Sequence, residues 1–529
     1  MRTTTLLAAI VFAHAAFAEE APPKLTYDEH VKPILRQACF SCHNQDRKRS
    51  GLAVDTYAGL MEGSSGGEVV DPGDGESSRL YELIAHLDEP KMPPGDKLPD
   101  AQIALIKNWI TGGALENAGS KVAVQKGPGL EMAGAGEGNK PKGEPAMPQP
   151  GALVKQPVAP TPRAAAVTAL AASPWAPLVA VAGQRQIVLY HAETAELLGV
   201  LPLIEGVPQI LRFSRNGDLL IAGGGHHASL GIVAVYDVKT GRRVGQVGDE
   251  LDTVLAADVN NTHSLIALGG PQRLVRIYSL QTGELKHTIK KHTDWVYAVE
   301  FSPDGRYLAS SDRSGGVHVW EADTAREFLT LSGHKGGVTD LSWRADSHVL
   351  ATASEDGTVK LWDLAEGKEI KSIRAHNSVL AVEFDSKGGL ATCGRDRKVR
   401  SFKPDGNPLR DYPGFEDETL EVCVTHDGKR VIAGDWTGAV RMFDRESGEH
   451  IADLSPNPPT LEEKLAAAQA AVAKAQQAAD AGQAAAALED AQARVRQAEA
   501  DLAAFRSFAD NLRRQNEEAF EQIYPDAGK

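Results

Sequence analysis

Cysteine, long apolar runs and long basic runs are all scarce in this chain of 529 residues. Four cysteines are too few, and the chain too long, for a small disulfide-stapled scaffold. No apolar run reaches the roughly 20 residues of a membrane-crossing helix, so none is expected. Lys and Arg number 56 against 71 Asp and Glu, a formal charge of −15. Phosphate backbones are held by clustered Lys and Arg, so nucleic acid is not an expected partner. A chain of this length exceeds one ordinary domain, and two or three folded units are expected.

The first residues carry a positive Arg2, a short apolar core LLAAIVFAHAAF, and Ala16-Phe17-Ala18 ahead of Glu19. Small residues of this kind follow the apolar core where a leader is cut, so residues 1–18 read as a signal peptide. The mature chain is then expected in a periplasm or other exported compartment. Four regimes follow: a compact helical segment at 25–115, a linker at 116–161, repeats at 162–457, and an Ala-rich helical segment at 460–520.

Within the first, YDEHVKPILRQ predicts a short helix. SRLYELIAHL places Leu80, Ile84 and Leu87 at helical spacing, and DAQIALIKNWITGG does the same for Ile103, Ile106 and Ile110, with Gly112 as the stop. Residues 116–161 are rich in Gly, Pro, Ala and Lys without an apolar period and predict a flexible linker.

From Pro162 to Asn457 the sequence returns roughly every forty residues to the same pattern, seven times. VYAVEFSPDGRYLASSDRSGGVHVWEADT and VTDLSWRADSHVLATASEDGTVKLWDLAEG are the clearest copies. Short alternating strands are parted by Asp-Gly, Asn-Gly or Gly-Gly turns. One such unit leaves a face uncovered, and radial stacking into a propeller covers it. The last segment opens with Thr460 and Glu463 spaced for a capping box. Leu465, Ala468, Val472, Ala475 and Ala479, then Leu488, Ala491, Val495, Ala498, Leu502, Phe505 and Leu512, form an apolar seam. A helical hairpin or coiled coil is expected, the latter a route to an oligomer. The fold class is therefore multidomain: a small all-α domain, an all-β seven-bladed propeller and C-terminal helices.

The chemistry lies at the front, in ACFSCHNQ. Cys39 and Cys42 are spaced to form thioethers to two haem vinyl groups, and His43 stands beside them to bind the iron. A redox dithiol gives His43 no task and lacks a surrounding βαβ pattern. A zinc site needs two further ligands that no nearby Cys pair supplies. One covalently bound haem c is the expected cofactor. For the opposite face of its iron, Met92 in EPKMPPGDKLPD offers a soft thioether, with Pro93 and Pro94 restricting the chain after it. His30, His86 and Met61 are competitors. His86 is expected to face solvent, and Met132 and Met147 fall in the linker. Cys393 and Cys423 sit in strand-like segments and read as small buried thiols rather than a disulfide.

Two resemblances follow from these motifs. HVKPIL, CFSCH, GLAVDT, GSSGGEVVDPG, SRLYELI, KMPPGDKL and IKNWITGGA together resemble the planctomycete-type cytochrome c domain. That likeness implies haem c with His43 and Met92 as axial ligands and Trp109 packed in the closing helix. The repeats resemble WD repeats, best at 332–374, with Gly333-His334, Asp356-Gly357 and Trp362-Asp363. There the likeness implies a structural hydrogen-bonded set of His334, Thr352, Asp356 and Trp362. Elsewhere Ser314 and Thr437 replace the turn Asp, and Phe402 and Phe443 replace the Trp, which weakens that assignment outside the best repeat.

An iron bound on both faces exchanges electrons and offers no site to a substrate. The expected function is an exported electron carrier, more a redox and interaction protein than an enzyme. A redox partner protein is expected, with the propeller holding a protein ligand. The alternatives are a propeller-based oxidoreductase served by the haem, or a redox-responsive scaffold. Quinone-cofactor propellers place a tryptophan after a D-x-x-T-G-type turn, and DVKTGRRVG and SLQTGELKH have only the turn. Nitrite reductases of this general build bind a second haem through propeller histidines, but His226 and His227 read as a solvated loop. A diheme peroxidase needs a second Cys-x-x-Cys-His, which the sequence lacks.

Overall fold

The computed structural model describes residues 25–117 and 139–515, apart from 66, 68, 73, 74, 76, 77, 96, 142 and 481–484. The proposed leader at 1–18 lies outside these residues. The chain divides into two compact units, 1–125 and 126–529.

The first unit is helical. A turn of π-helix at Tyr27–Val31 runs into α1, Lys32–Ala38. Three more helices follow: α2 at Tyr57–Glu62, α3 at Arg79–Ile84 and α4 at Asp100–Thr111. In α4 the 3–4 spacing buries Ile103, Ile106, Trp109 and Ile110 on one face, and Gly112 ends the helix. Each such side chain contributes roughly 1.5–3 kcal/mol on burial. Trp109 is fully buried and donates Nε1–H to the Leu115 carbonyl at 2.9 Å. That carbonyl also accepts the Tyr27 amide at 2.7 Å, so the two ends of the unit meet at one residue. Helix α3 stops sooner than its periodicity predicts. It closes at Ile84, His86 takes a left-handed φ of 60°, and Leu87 is 68% exposed.

The second unit holds seven four-stranded sheets, each a meander in sequence order. Their first strands are Leu170–Ala172, Val207–Phe213, Ala256–Val259, Val296–Phe301, Val338–Trp343, Val379–Phe384 and Thr419–Val424. These pack side by side around the ring, the seventh against the first, which closes the propeller. Second strands such as Val349–Ser354 are buried along their whole length because neighbouring blades cover both faces. Outer strands such as Lys368–Arg374 are mostly exposed and carry charge, which protects a sheet edge.

Closure of the ring is pinned at blade 1. Buried Gln186 donates to the Pro456 carbonyl at 3.0 Å and accepts from the Val158 amide at 2.8 Å. Tyr190 donates to the Ser455 carbonyl at 2.8 Å. The stretch expected to be a linker through residue 161 is therefore held to the propeller over its last part. Val154 bridges Val200, Ala146 is buried in the blade 1–2 core, and Met147 packs beside it. Composition concealed this docking because it uses isolated apolar residues rather than a periodic face.

Helices α5 (Leu461–Asp480) and α6 (Ala485–Gln515) pack against each other as a hairpin. Thr460 and Glu463 exchange hydrogen bonds at 2.9 and 3.1 Å in a capping box. Ala491, Ala498, Leu502 and Ala509 are the buried positions of α6, and Ala509 and Phe505 pack on the seam between blades 1 and 7.

Candidate functional site

Cys39 caps the C-terminus of α1, where its amide donates to the Leu35 carbonyl at 2.7 Å. The chain then turns tightly. The Cys42 and His43 amides both reach the Cys39 carbonyl, at 3.1 and 3.0 Å, so one turn presents two thiols and an imidazole. Asn44 fixes the turn from inside, donating to the Phe40 carbonyl at 2.8 Å and accepting from the Arg47 amide at 2.9 Å. The His43 carbonyl accepts from Val54 at 2.9 Å, while Tyr27 donates to the Val54 carbonyl at 2.7 Å. The motif is thereby tied to the buried core of the unit.

The donor set fits a covalently held haem. Both thiols are free and part-buried. Neither ring nitrogen of His43 makes a hydrogen bond among the described residues, and Nδ1 is buried. A buried polar atom without a partner calls for an explanation, and a bound group would supply one for this ring. Burial, with Cys42 adding, pushes the Cys39 thiol up to about 11. A redox dithiol needs the opposite shift, toward thiolate. Among the described residues no three His, Cys, Asp or Glu side chains gather as a metal-binding group.

The competing sixth ligands are placed differently. His30 is engaged, its Nδ1 lying 3.2 Å from both the amide and the hydroxyl of Thr26. Met61 packs against the core. Met92 is part-buried in the loop after α3, and its amide donates to the Leu83 carbonyl at 3.1 Å. His86 departs from the expectation that it faces solvent. It is part-buried, and its Nε2 is enclosed without a hydrogen bond among the described residues, just past the early end of α3. Met132 lies outside the described residues.

In the propeller, His334 bonds Asp356 through Nδ1 at 2.9 Å and Thr352 through Nε2 at 2.6 Å. Trp362 completes the set by donating to Thr352 Oγ1 at 2.9 Å. Hydrogen bonds from Thr358, Lys335 and His334 outweigh burial and hold the Asp356 carboxyl well below its usual range. Burial lowers the His334 imidazole.

The weakening inferred for the neighbouring repeats does not hold in blade 4, and in blade 6 it holds only for the Trp, the His–Asp–Thr part being present. In blade 4, His292 bonds Asp312 at 2.8 Å and Ser310 at 2.7 Å, and Trp320 donates to Ser310 at 2.8 Å. The carboxylate comes from two residues before Ser314, whose amide and hydroxyl it accepts. In blade 6, His376 bonds Asp396 at 2.7 Å and Thr392 at 2.9 Å, with Phe402 where the others have Trp. Cys393 and Cys423 are buried, free thiols. His226 and His227 are exposed, the latter 3.6 Å from Asp252.

A group the sequence reading missed lines the central cavity, which measures about 390 Å³. Arg212, Arg215, Asp258, Glu300, Asp340, Glu383 and Glu421 border it. Each stands alone in or next to an apolar strand, so no local motif marks them. Aligning the seven first strands and asking which carry charge would have exposed them.

The family model described as Planctomycete cytochrome C matches residues 39–96, from the first motif cysteine past Met92. The model described as WD domain, G-beta repeat, matches residues 283–321, 326–363 and 367–403. These three spans hold the His–Asp networks of blades 4, 5 and 6. No curated protein matches the chain. The chain thus joins a segment matched by the Planctomycete cytochrome C model to a seven-bladed propeller, part of which the WD-repeat model matches.

Proposed function

We propose that this is an exported electron-transfer protein with one haem c in its first unit, whose propeller docks a protein partner. The observation that carries the reading is the turn at 39–43, where two free thiols precede an imidazole whose nitrogens make no hydrogen bond among the described residues. Cys39 and Cys42 would hold the group through thioethers, His43 would bind iron on one face, and Met92 on the other. Bound in this way, haem c supplies reversible one-electron exchange. The protein's own part would be to fix the backbone that carries the imidazole, through the His43–Val54 and Asn44–Phe40 bonds, beside the apolar core on which Cys39 and Phe40 pack. A metal with both faces closed has no place for a substrate, which favours a carrier over an enzyme.

The residues between the two units would tether the haem near whatever the propeller holds and raise its effective concentration there. The charge of −15 makes a basic redox partner the natural complement, with association weakened by salt. The test is maturation of the full chain with the haem-attachment machinery, followed by mass analysis, visible spectroscopy and potentiometry. One haem, a single reversible one-electron wave and no uptake of external ligands at rest are expected. A mass without haem, or an iron open to added ligands, overturns the proposal.

A further inference from the structure

The cavity at the propeller axis is lined by charge that does not balance. Asp258, Glu300, Asp340, Glu383 and Glu421 supply five carboxylates, against the two guanidinium groups of Arg212 and Arg215. Asp385, also at the lining, is already paired with Arg445.

The two arginines, both from the first blade-2 strand or the loop after it, lean to one side. Arg215 lies 2.9 Å from Glu300 and 3.7 Å from Asp258. Arg212 lies 3.4 Å from Asp340 and 3.8 Å from Glu300. Glu300 is 3% exposed, and its Oε2 has no hydrogen bond, only the distant Arg212 charge. Among the described residues no arginine stands within ion-pair distance of the blade 6 and 7 acids Glu383 and Glu421, and only the charge of Arg212 reaches them. Glu383 accepts one backbone amide, from Val424 at 3.0 Å, and Glu421 makes neither a hydrogen bond nor an ion pair among the described residues.

Their placement is built into the strands. A bulge shifts register between Val338 and Asp340, and again between Thr419 and Glu421. Bulges re-aim side chains where a sheet borders a site. Burial, with neighbouring carboxylates adding, pushes the Glu383 carboxyl up to about 8 and raises Glu421 well above its ordinary range, while Arg212 opposes both. Carboxyls without a counter-charge in a cavity of ligand size resist ionising, and a positive guest seated among them would favour their ionised form.

We propose that the cavity is a binding site for an organic cation, an alkylammonium or guanidinium group, seated between Glu383 and Glu421. A metal ion is the poorer guest, because among the described residues the carboxylates surround the axis without converging as a metal-ligand cluster. The cation arrives either as a free amine or as a Lys or Arg side chain of a docked protein. The proposal concerns the propeller alone and stands apart from the haem reading. Tyr297 and His426 also face the cavity, with the two arginines and the five acids.

The experiment is calorimetric titration of the full chain with agmatine, with a Gly-Ser-Arg-Ser-Gly peptide, and with the same peptide carrying norleucine for arginine. Saturable binding of agmatine alone assigns a free amine, of the arginine peptide alone a side chain, and of both the shared chemistry. The norleucine peptide is expected to be silent. Affinity should rise about tenfold between pH 6 and pH 9 as the carboxyls ionise, and fall at least about tenfold in the Glu383→Gln, Glu421→Gln double variant. Absence of saturable cation binding, equal binding of the norleucine peptide, or an affinity indifferent to pH in the unmodified protein overturns the proposal. The pH arm decides the matter even if the double variant does not fold.

Discussion

His86 and Met92 hang from a single carbonyl, their amides donating to Leu83 at 3.2 and 3.1 Å. The loop between them is thus cinched onto the end of α3, and two side chains of different character, either able in principle to bind iron, start from one point. Met92 is the proposed ligand, so Met92→Ala is expected to abolish the methionine–iron charge-transfer band, lower the potential and admit external ligands. His86→Ala is expected to leave all three unchanged. A matured protein without that band, whose potential and closure to external ligands respond to His86→Ala and not to Met92→Ala, would assign the ligand to His86.

A second expectation concerns acid. Asp312, Asp356 and Asp396 are all held below their ordinary range by hydrogen bonds that outweigh burial. A carboxyl depressed in the fold adds stability above its unfolded pKa and loses it as pH falls through the folded value. Melting of the propeller should therefore drop steeply below about pH 4. Asp356→Asn should cost roughly 1–3 kcal/mol at neutral pH and make the acid limb shallower. An acid limb as steep as that of the unmodified protein would show that the His334 pair contributes nothing to it.

Blades 4 to 6 also show where sequence is a sufficient guide and where it is not. Seven blades were legible because each repeats the same apolar alternation and turn chemistry. The blade-4 network was not, because Ser314 fills the aligned turn position while Asp312, two residues earlier, delivers the carboxylate to His292. A column-by-column comparison tracks backbone position, whereas the imidazole requires only an oxygen at 2.8 Å. The thiols and His43 were legible because one turn of chain holds all three. Leu87 was misplaced because helical period was weighed above the left-handed backbone of His86 that ends α3. The cavity charges went unread because their partners lie on other blades, as with Arg212 and Asp340, 128 residues apart.

Gln186 reinforces the closed ring, its side-chain amide spanning from Val158 to Pro456. Gln186→Ala would strand a buried N–H and a buried carbonyl, at roughly 1–3 kcal/mol for each group left unsatisfied. The expected result is a lower melting temperature, with faster hydrogen exchange at the seam of blades 1 and 7 than at blades 4 and 5. Uniform loss of protection around the ring would mean that Gln186 supports the whole fold rather than its closure.

The cavity carboxyls act on stability in the opposite sense to the His-paired aspartates. Burial raises Glu383 to about 8, and a carboxyl raised in the fold adds stability at low pH that is lost as pH rises through that value. Exchanging it for glutamine removes the charge while keeping the shape and an acceptor for the Val424 amide. Glu383→Gln should thus match the unmodified protein near pH 5 and exceed it by roughly 1–3 kcal/mol near pH 9, since neutral replacements of buried charges often stabilise. The same substitution is expected to weaken cation binding, and the two effects share one cause: a carboxylate kept in a cavity without its own counter-charge costs stability until a guest supplies one. Thermal melts at pH 5 and 9, with and without agmatine, separate these terms. Added agmatine should raise the alkaline melting temperature of the unmodified protein and leave the variant nearly unmoved, and a variant less stable at both pH values would refute the assignment.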